Sequence, residues 1–356
     1  MHEDYHIKNL SQLRDIIPPH PRLMDKRIKD RLDDFAIEFL QASSLAVFSC
    51  SALDFIEIIP LTRLELTQPD QIRLTLKHTQ TELSRFYKMN LNNASEQHAC
   101  TLYCLVSGIG HGLRVNGSVT LHTDLQADGS VLEIRIEQLY FHCSRAIVRG
   151  NFWDAAPVSR SFSAQDNELR SEHQARLCSA AKQFISHSSL AFISSQNAQG
   201  KLEISPRGDA AGFVQVLPDN TLLIPERPGN KVAITMRNIL EQAKIKLMLL
   251  IPGVNSALHI TGKATLTNRP DYLQRLTFKN KVPKLAIMLK IENAQLSHSL
   301  ALAQSEIWNP ETHYSDTSLS SFPKIMNAHL HGSSLAAKTL QPLVGAIIKH
   351  DLKHLY

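Results

Sequence analysis

The chain has 356 residues, 43% of them hydrophobic and 20% charged; at roughly 150 residues per domain this predicts two packed cores and excludes a disordered or collagen-like protein. The formal net charge of +5 is the small excess of 38 Lys and Arg over 33 Asp and Glu, and without a long basic run or aromatics interleaved with cations it gives nucleic-acid binding no support. No run of about 18 apolar residues is present, which excludes a transmembrane helix at the level of sequence, and the opening MHEDYHIKNL lacks the basic and apolar regions of a signal peptide.

A cytoplasmic protein without a membrane partner is therefore expected. The five cysteines, Cys50, Cys100, Cys104, Cys143 and Cys178, are odd in number and contain no CxxC pair. They read as free thiols in a reducing compartment.

In chain order, the breakers Pro18, Pro19 and Pro21 precede Ile28, Leu32, Phe35 and Phe39, whose spacing has the 3.6-residue period of an amphipathic helix. A short strand from Leu45 to Ser49 follows. SGIGHG at Ser107 has the glycines of a dinucleotide fingerprint, but a strand, LRVNGSV, comes after it where the fingerprint requires a helix, so a hairpin turn is expected. Asp128-Gly129 signals a tight turn. The small and polar stretch from about residue 155 to 168 suits a linker.

Beyond it, Leu177, Ala181, Phe184 and Ile185 predict a second helix, and strands are expected at Leu190–Ser194, Val214–Leu217, Thr221–Ile224, Ile245–Ile251, Leu258–Thr267 and Leu285–Ile291. One helix interrupts them, from about Val232 to Gln242. Near the end, Leu340, Leu343, Val344, Ile347, Ile348, Leu352 and Leu355 share one helical face and predict a capping helix.

The two halves repeat one another. FLQASSLAVFSC from Phe39 aligns with FISHSSLAFISS from Phe184, a shift of 145 residues, and CLVSGIGHGLRVNGSVTL from Cys104 falls on LLIPGVNSALHITGKATL from Leu249 at the same shift. Later the shift becomes 155, pairing Glu137 with Glu292 and Trp153 with Trp308; the second copy gains ten residues around PDYLQRLTFKNKVPKL. Many short strands with few helices predict a small closed or partly open barrel in each copy. The domain boundaries that follow are an N-terminal domain over 1–157, a linker over 158–170, a C-terminal domain over 171–314 and a helical extension over 315–356.

The densest polar constellation is EISPRGDAAGFVQVLPDNTLLIPERPGNKVAITMRNIL, from Glu203 to Leu240. Arg207, Arg227, Lys231 and Arg237 place cations beside the Gly208 and Gly229 turns and near a helix expected to start at Asn230, where free backbone N–H groups favour an anion. A phosphate-bearing ligand fits such a group. His142 beside Cys143, and His350 with His354 at i, i+4, read as structural or surface histidines rather than metal ligands.

SPRGD, GF, LIPERPGN, RNIL and LIPGV, in this order, resemble the FMN-binding split-barrel flavoproteins related to pyridoxamine 5'-phosphate oxidase. IKNLSQLRDII and LYFHCSRAIVRGNFWD resemble the beginning and end of the same domain, so the likeness covers each copy nearly whole. It implies a mainly β (α+β) protein of two fused split β-barrels forming an intramolecular pseudo-dimer, with FMN as cofactor. The family's homodimers place the flavin across the subunit interface, one subunit holding the phosphate and the other flanking the ring.

Departures from the pattern divide between the copies. Arg207, Arg227, Asn230 and Lys231 correspond to Thr62, Glu82, Arg85 and Phe86, so copy one lacks the phosphate cradle; Arg145 and Arg149 correspond to Leu300 and Gln304, so copy two lacks the flanking half. One composite FMN site per chain is expected. Arg207, Asn230 and Lys231 would neutralise the phosphate, with Arg227 in the same cluster, Ser205 and Pro225 near the ring, and Arg145, Arg149 and Trp153 closing the far wall. A cation near the flavin N1 and C2 carbonyl stabilises the anionic reduced form, a role for Arg145 or Arg149.

The implied activity is oxidation or reduction of a small molecule, with hydride passing to or from the flavin N5. His142 is the candidate proton-transfer group. The Arg-x-His substrate-phosphate signature of the namesake oxidases is absent, which argues against pyridoxamine phosphate as substrate. Two alternatives stand beside this reading: a heme-binding or heme-degrading split barrel, given the 17 His, and a non-catalytic flavin binder. Further oligomerisation is left open.

Overall fold

The structure, a computed structural model, describes residues 5–77, 96–124, 129–154, 176–315, 318–332 and 335–356. The expected linker, Asp128 of the expected turn, and Glu82, Arg85 and Phe86 lie outside them. In chain order, β1 (His6–Ile7) and α1 (Leu10–Ile16) precede a 3-10 helix over Arg22–Arg27 and α2 (Asp34–Ala42). The first repeat then forms β2 (Leu45–Cys50), β3 (Glu57–Pro60), β4 (Leu64–Gln68), β5 (Gln71–Lys77), β6 (His98–Leu105), β7 (Gly112–Asp124) and β8 (Gly129–His142), followed by α3 (Arg145–Arg149).

The second repeat supplies α4 (Ser179–His187), β9 (Leu190–Gln196), β10 (Leu202–Gly208), β11 (Gln215–Val216), β12 (Thr221–Pro225), α5 (Ile234–Glu241), β13 (Lys244–Leu250), β14 (Ser256–Thr267), α6 (Pro270–Arg275) and β15 (Ala286–His298). After these come α7 (Leu300–Ser305), a 3-10 helix over Pro310–Thr312, α8 (Phe322–His331) and α9 (Leu335–Lys353). None of the helices among the described residues is long and apolar enough to cross a membrane.

The strands form two curled antiparallel sheets of one topology. Their orders are β3-β2-β6-β7-β8-β5-β4 and β10-β9-β13-β14-β15-β12-β11, the same path under the repeat, with β1 added to the second sheet beside β14. Even the irregularities coincide: a bulge falls between Asn116 and Gly117 in one sheet and between Thr261 and Gly262 in the other. A Cβ at Gly117 would lie 1.9 Å from the Arg135 carbonyl oxygen, and one at Gly262 would lie 2.0 Å from that of Lys290. Only glycine lets the backbones approach that closely at the bulge. Each repeat is therefore a split β-barrel, as the sequence predicts, and the protein is mainly β.

The compact units are discontinuous, whereas the sequence divides the chain at residues 157 and 171. One unit comprises 1–21, 146–298 and 355–356; the other comprises 22–145 and 299–354. The first has its core on Leu13, Phe184, Ile193, Leu247, Leu258 and Ile287. The second has its core on Phe39, Phe48, Leu102, Val115, Leu139 and Phe141. Side chains of this size each contribute about 1.5–3 kcal/mol on full burial. Each unit thus joins one repeat's barrel to the segment that follows the other repeat's last long strand.

Several helix boundaries differ from expectation because capping overrides periodicity. Ile28 and Leu32 share the period of Phe35 and Phe39, yet the helix begins at Asp34 with Asp33 as N-cap, its side chain accepting from Ala36 N at 2.9 Å. Residue 29 pairs instead with Leu139 as an isolated bridge. The helix expected to start at Asn230 starts at Ile234; Lys231 (φ 61°) and Ala233 (φ 56°) are left-handed, which breaks the helical path before it. In α9, Leu340, Leu343 and Ile347 face solvent, so the expected capping face is only partly buried.

Candidate functional site

The SPRGD motif lies on β10 and the turn after it, and LIPERPGN runs from β12 into the turn before α5. Ser205 and Pro225 are buried strand residues, opposite Ile193 and Ala286 respectively. The 229–233 turn is held from outside by Arg14 of α1, which donates through Nη1 to the Lys231 carbonyl at 3.0 Å and through Nη2 to that of Val232 at 3.3 Å. Asn230 Oδ1 accepts from Val232 N at 3.1 Å. The Lys231 side chain is exposed. Burial and the positive charge of Arg237 lower the Arg14 pKa, so several cations gather at this turn.

Two carboxylates, Glu226 and Asp209, share the site with the arginines. Arg207 Nε lies 3.4 Å from Glu226 Oε2, an ion pair without a hydrogen bond between those atoms. Burial raises the Glu226 pKa, and the charges of Arg207 and Arg149 offset part of that rise. Arg227 Nε is bonded to Asp209 Oδ2 in a pair almost wholly removed from solvent, and its Nη2 donates to the Leu276 carbonyl at 2.9 Å. At the first turn of α5 the hydroxyl of Thr235 is buried and makes no hydrogen bond among the described residues.

The segment after the first repeat's barrel is seated on this same unit through two glycines. A Cβ at Gly208 would lie 1.8 Å from the Ala146 carbonyl oxygen, and one at Gly150 would lie 2.6 Å from that of Ser189. Ser189 Oγ donates to the Gly150 carbonyl at 2.6 Å. Backbone therefore rests on backbone, and Arg149 between these contacts donates through Nη2 to the Pro228 carbonyl. Trp153, half-buried, sets its ring against Phe152 at 4.8 Å between centroids.

Of the residues predicted from sequence, Ser205, Arg207, Pro225, Arg227, Asn230, Lys231, Arg149 and Trp153 belong to one compact unit. His142 and Arg145 belong to the other. There, His142 Nδ1 lies 3.3 Å from the Cys143 carbonyl oxygen, and its ring meets Tyr103 edge-on at 5.8 Å. Burial pushes the Cys104 thiol up to about 12, the state of an inert structural cysteine. His350 and His354 are exposed.

Sequence reasoning missed Arg14, Asp209, Glu226 and Tyr356. Tyr356 donates its hydroxyl to Asp209 Oδ1 at 2.6 Å, and burial together with that carboxylate pushes its pKa up. Asp209 and Glu226 are visible within the motifs SPRGD and PERPGN as charges adjacent to arginines. Nothing local marks Arg14 or Tyr356.

The doubled antiparallel split barrel defines the class of this protein. Residues 177–304, within the second repeat, match the model of the family described as pyridoxamine 5'-phosphate oxidase, so that repeat is similar to the proteins of this family. Similar solved structures include HupZ of Group A Streptococcus, 19% identical over 33% of this chain and 91% of that one, TM-score 0.28. A putative pyridoxamine 5'-phosphate oxidase of Lactobacillus delbrueckii is 18% identical over 35% of this chain and 98% of that one, TM-score 0.28. The heme storage protein HutZ of Vibrio cholerae is 12% identical over 35% and 99%, TM-score 0.26. No curated protein matches the sequence.

Proposed function

We propose that the constellation on the second-repeat unit binds FMN and that the protein is an FMN-dependent oxidoreductase acting on a small molecule. The observation that carries this reading is the seating of Ala146 and Arg149, from the segment after the first repeat's barrel, against Gly208 of SPRGD and Pro228 of PERPGN in the second. Neither repeat alone contains both parts. A phosphate suits the donors: Lys231 is exposed, Asn230 presents an amide, Arg237 adds charge, and the buried Thr235 hydroxyl lacks a bond among the described residues. Arg207 contributes as well, since its Nε faces Glu226 without a hydrogen bond.

Ser205 and Pro225 supply the strand walls beside the ring, and Arg149 with Trp153 closes the opposite side. Bound FMN would supply hydride or electron transfer. The chain's own groups bind it, orient it and keep positive charge near it; His142 is given no part.

The test is visible absorption of the purified protein with cofactor quantified per chain, for wild type, Lys231→Ala and Arg149→Ala. A two-band flavin spectrum at one FMN per chain, lost or weakened tenfold or more in either variant, supports the composite site. Two flavins per chain would overturn it, and a Soret band would replace flavin by heme. A colourless protein that takes up no added FMN would also refute the reading. Reduction by NADH or NADPH followed by reoxidation separates an enzyme from a flavin binder.

A further inference from the structure

Two segments of the chain have no counterpart in the duplication, and they meet beside Arg149 and Arg227: the first supplies the Leu276 carbonyl to Arg227, and the second reaches both arginines. The ten-residue gain of the second repeat contributes Leu276, Phe278 and Lys279; the extension beyond the repeats contributes Leu355 and Tyr356. Arg149 donates to the Leu355 carbonyl through Nε at 2.9 Å and also through Nη2. The Tyr356 ring lies 5.6 Å from the Arg149 guanidinium carbon, 5.8 Å from that of Arg227 and 5.4 Å from Lys279 Nζ. Its other neighbour is the ring of Phe278, at 5.0 Å between centroids. Its hydroxyl ends on Asp209, the carboxylate that holds Arg227.

An aromatic ring among three cations, with a carbonyl oxygen accepting two bonds from an arginine, has the recognition chemistry of an aromatic anion. We propose that Leu355–Tyr356 is an intrachain occupant of the candidate ligand site, a strap that stands in for such an anion at Arg149 and Arg227 and is displaced when one binds. The proposal rests on reading the constellation as a ligand site, and adds its regulation: the chain competes with its own ligand. The competition is built from donors with finite capacity. Arg149 cannot give the same Nε and Nη2 protons to the Leu355 carbonyl and to an incoming anion. A partner or condition that draws the extension away would raise ligand affinity without altering any residue of the barrel.

The experiment compares wild type, Tyr356→Phe, Tyr356→Ala and the double variant Tyr356→Ala with Arg149→Ala, all as the full chain. Two probes are titrated by fluorescence: FMN, and 8-anilinonaphthalene-1-sulfonate as an aromatic anion unrelated to flavins. Tyr356→Ala is expected to bind tenfold tighter or more. Tyr356→Phe, which loses only the bond to Asp209, falls between it and wild type, and the double variant loses the gain. In protein labelled with fluorotyrosine, the resonance missing from Tyr356→Phe should move to the position of a solvent-exposed tyrosine as the probe is added to wild type.

Equal or weaker binding of both probes by Tyr356→Ala would overturn the strap, since Tyr356 would then be inert or a wall of the site. If FMN binds no form but the sulfonate gains affinity through Arg149 as described, the strap stands and the FMN reading falls. If FMN binds wild type and Tyr356→Ala alike, with the Tyr356 resonance unmoved, the FMN reading survives and the strap falls.

Discussion

Replacing Gly208 by alanine tests whether the seat between the first repeat's trailing segment and the SPRGD motif holds the candidate site together. The new Cβ would lie 1.8 Å from the Ala146 carbonyl oxygen and 2.7 Å from its carbonyl carbon, both backbone atoms with no rotamer to yield. A non-bonded carbon and oxygen do not approach closer than about 3 Å, so the segment must move by about 1 Å. Overpacking of this kind costs about 1–3 kcal/mol. The same displacement strains the bond from Ser189 Oγ to the Gly150 carbonyl, worth about 1 kcal/mol.

A destabilisation of about 3 kcal/mol is expected for the 146–154 segment, together with weaker FMN binding through displaced Arg149. Trp153 and Trp308 are the chain's two tryptophans, so in a Trp308→Phe background the urea-dependent emission of Trp153 reports this segment. Gly229→Ala is the control: its Cβ would meet nothing nearer than the Arg227 carbonyl oxygen at 3.9 Å. If Gly208→Ala and Gly229→Ala unfold at the same urea concentration, the seat does not carry the segment and the reasoning fails.

Two further outcomes test burial and charge. His111 lies buried among Phe39, Phe141 and Phe322, and burial lowers its pKa to about 4. The folded state therefore binds fewer protons than the unfolded chain, whose histidine titrates near 6.5; stability is full above about pH 6.5 and falls as pH drops toward 4, by up to about 3 kcal/mol. Chemical denaturation of His111→Phe across that window should give a flatter profile, and a profile as steep as wild type would assign the slope to other groups. Arg227→Ala leaves the Asp209 carboxylate buried without its cation, at a cost of about 3–5 kcal/mol. Arg227→Ala combined with Asp209→Asn should recover part of the loss in thermal unfolding; no recovery would show that the pair is not the cause.

The doubled barrel was legible because a duplication writes the same strand pattern twice. Leu45–Cys50 and Leu190–Gln196 fall where FLQASSLAVFSC and FISHSSLAFISS align, and the hairpin at SGIGHG separates β6 from β7. Local competition was harder to read. Ile28 and Leu32 obey helical spacing, yet Asp33 caps the helix after them; Asn230 looks like a helix start, yet the chain passes through two left-handed residues before Ile234. Such positions cost of order 1–3 kcal/mol and persist where surroundings over-determine them, here through Arg14 from a distant helix. Tyr356 was illegible for a related reason: its partners Asp209 and Arg149 are 147 and 207 residues away, and no periodicity encodes that distance.

Complementary decay of the two repeats extends from side chains to backbone. The position of Gly208 is Arg63 in the first repeat, and the position of Gly150 is Ser305 in the second. Both units take a segment from the other repeat: α7 packs on β2 and β3, as the backbone at Ala146 and Gly150 packs on Gly208 of β10 and on Ser189. Only the second-repeat unit has glycine on both sides of that contact, so only there can backbone sit on backbone and carry an arginine to the Pro228 carbonyl. Independent drift of two equivalent sites would scatter substitutions over both. Here the cradle cations, Arg149 and the two seating glycines all survive in the halves that share one unit, while Arg145 belongs to the other. Their equivalents in the other unit are replaced together, the pattern that the proposed single composite site requires.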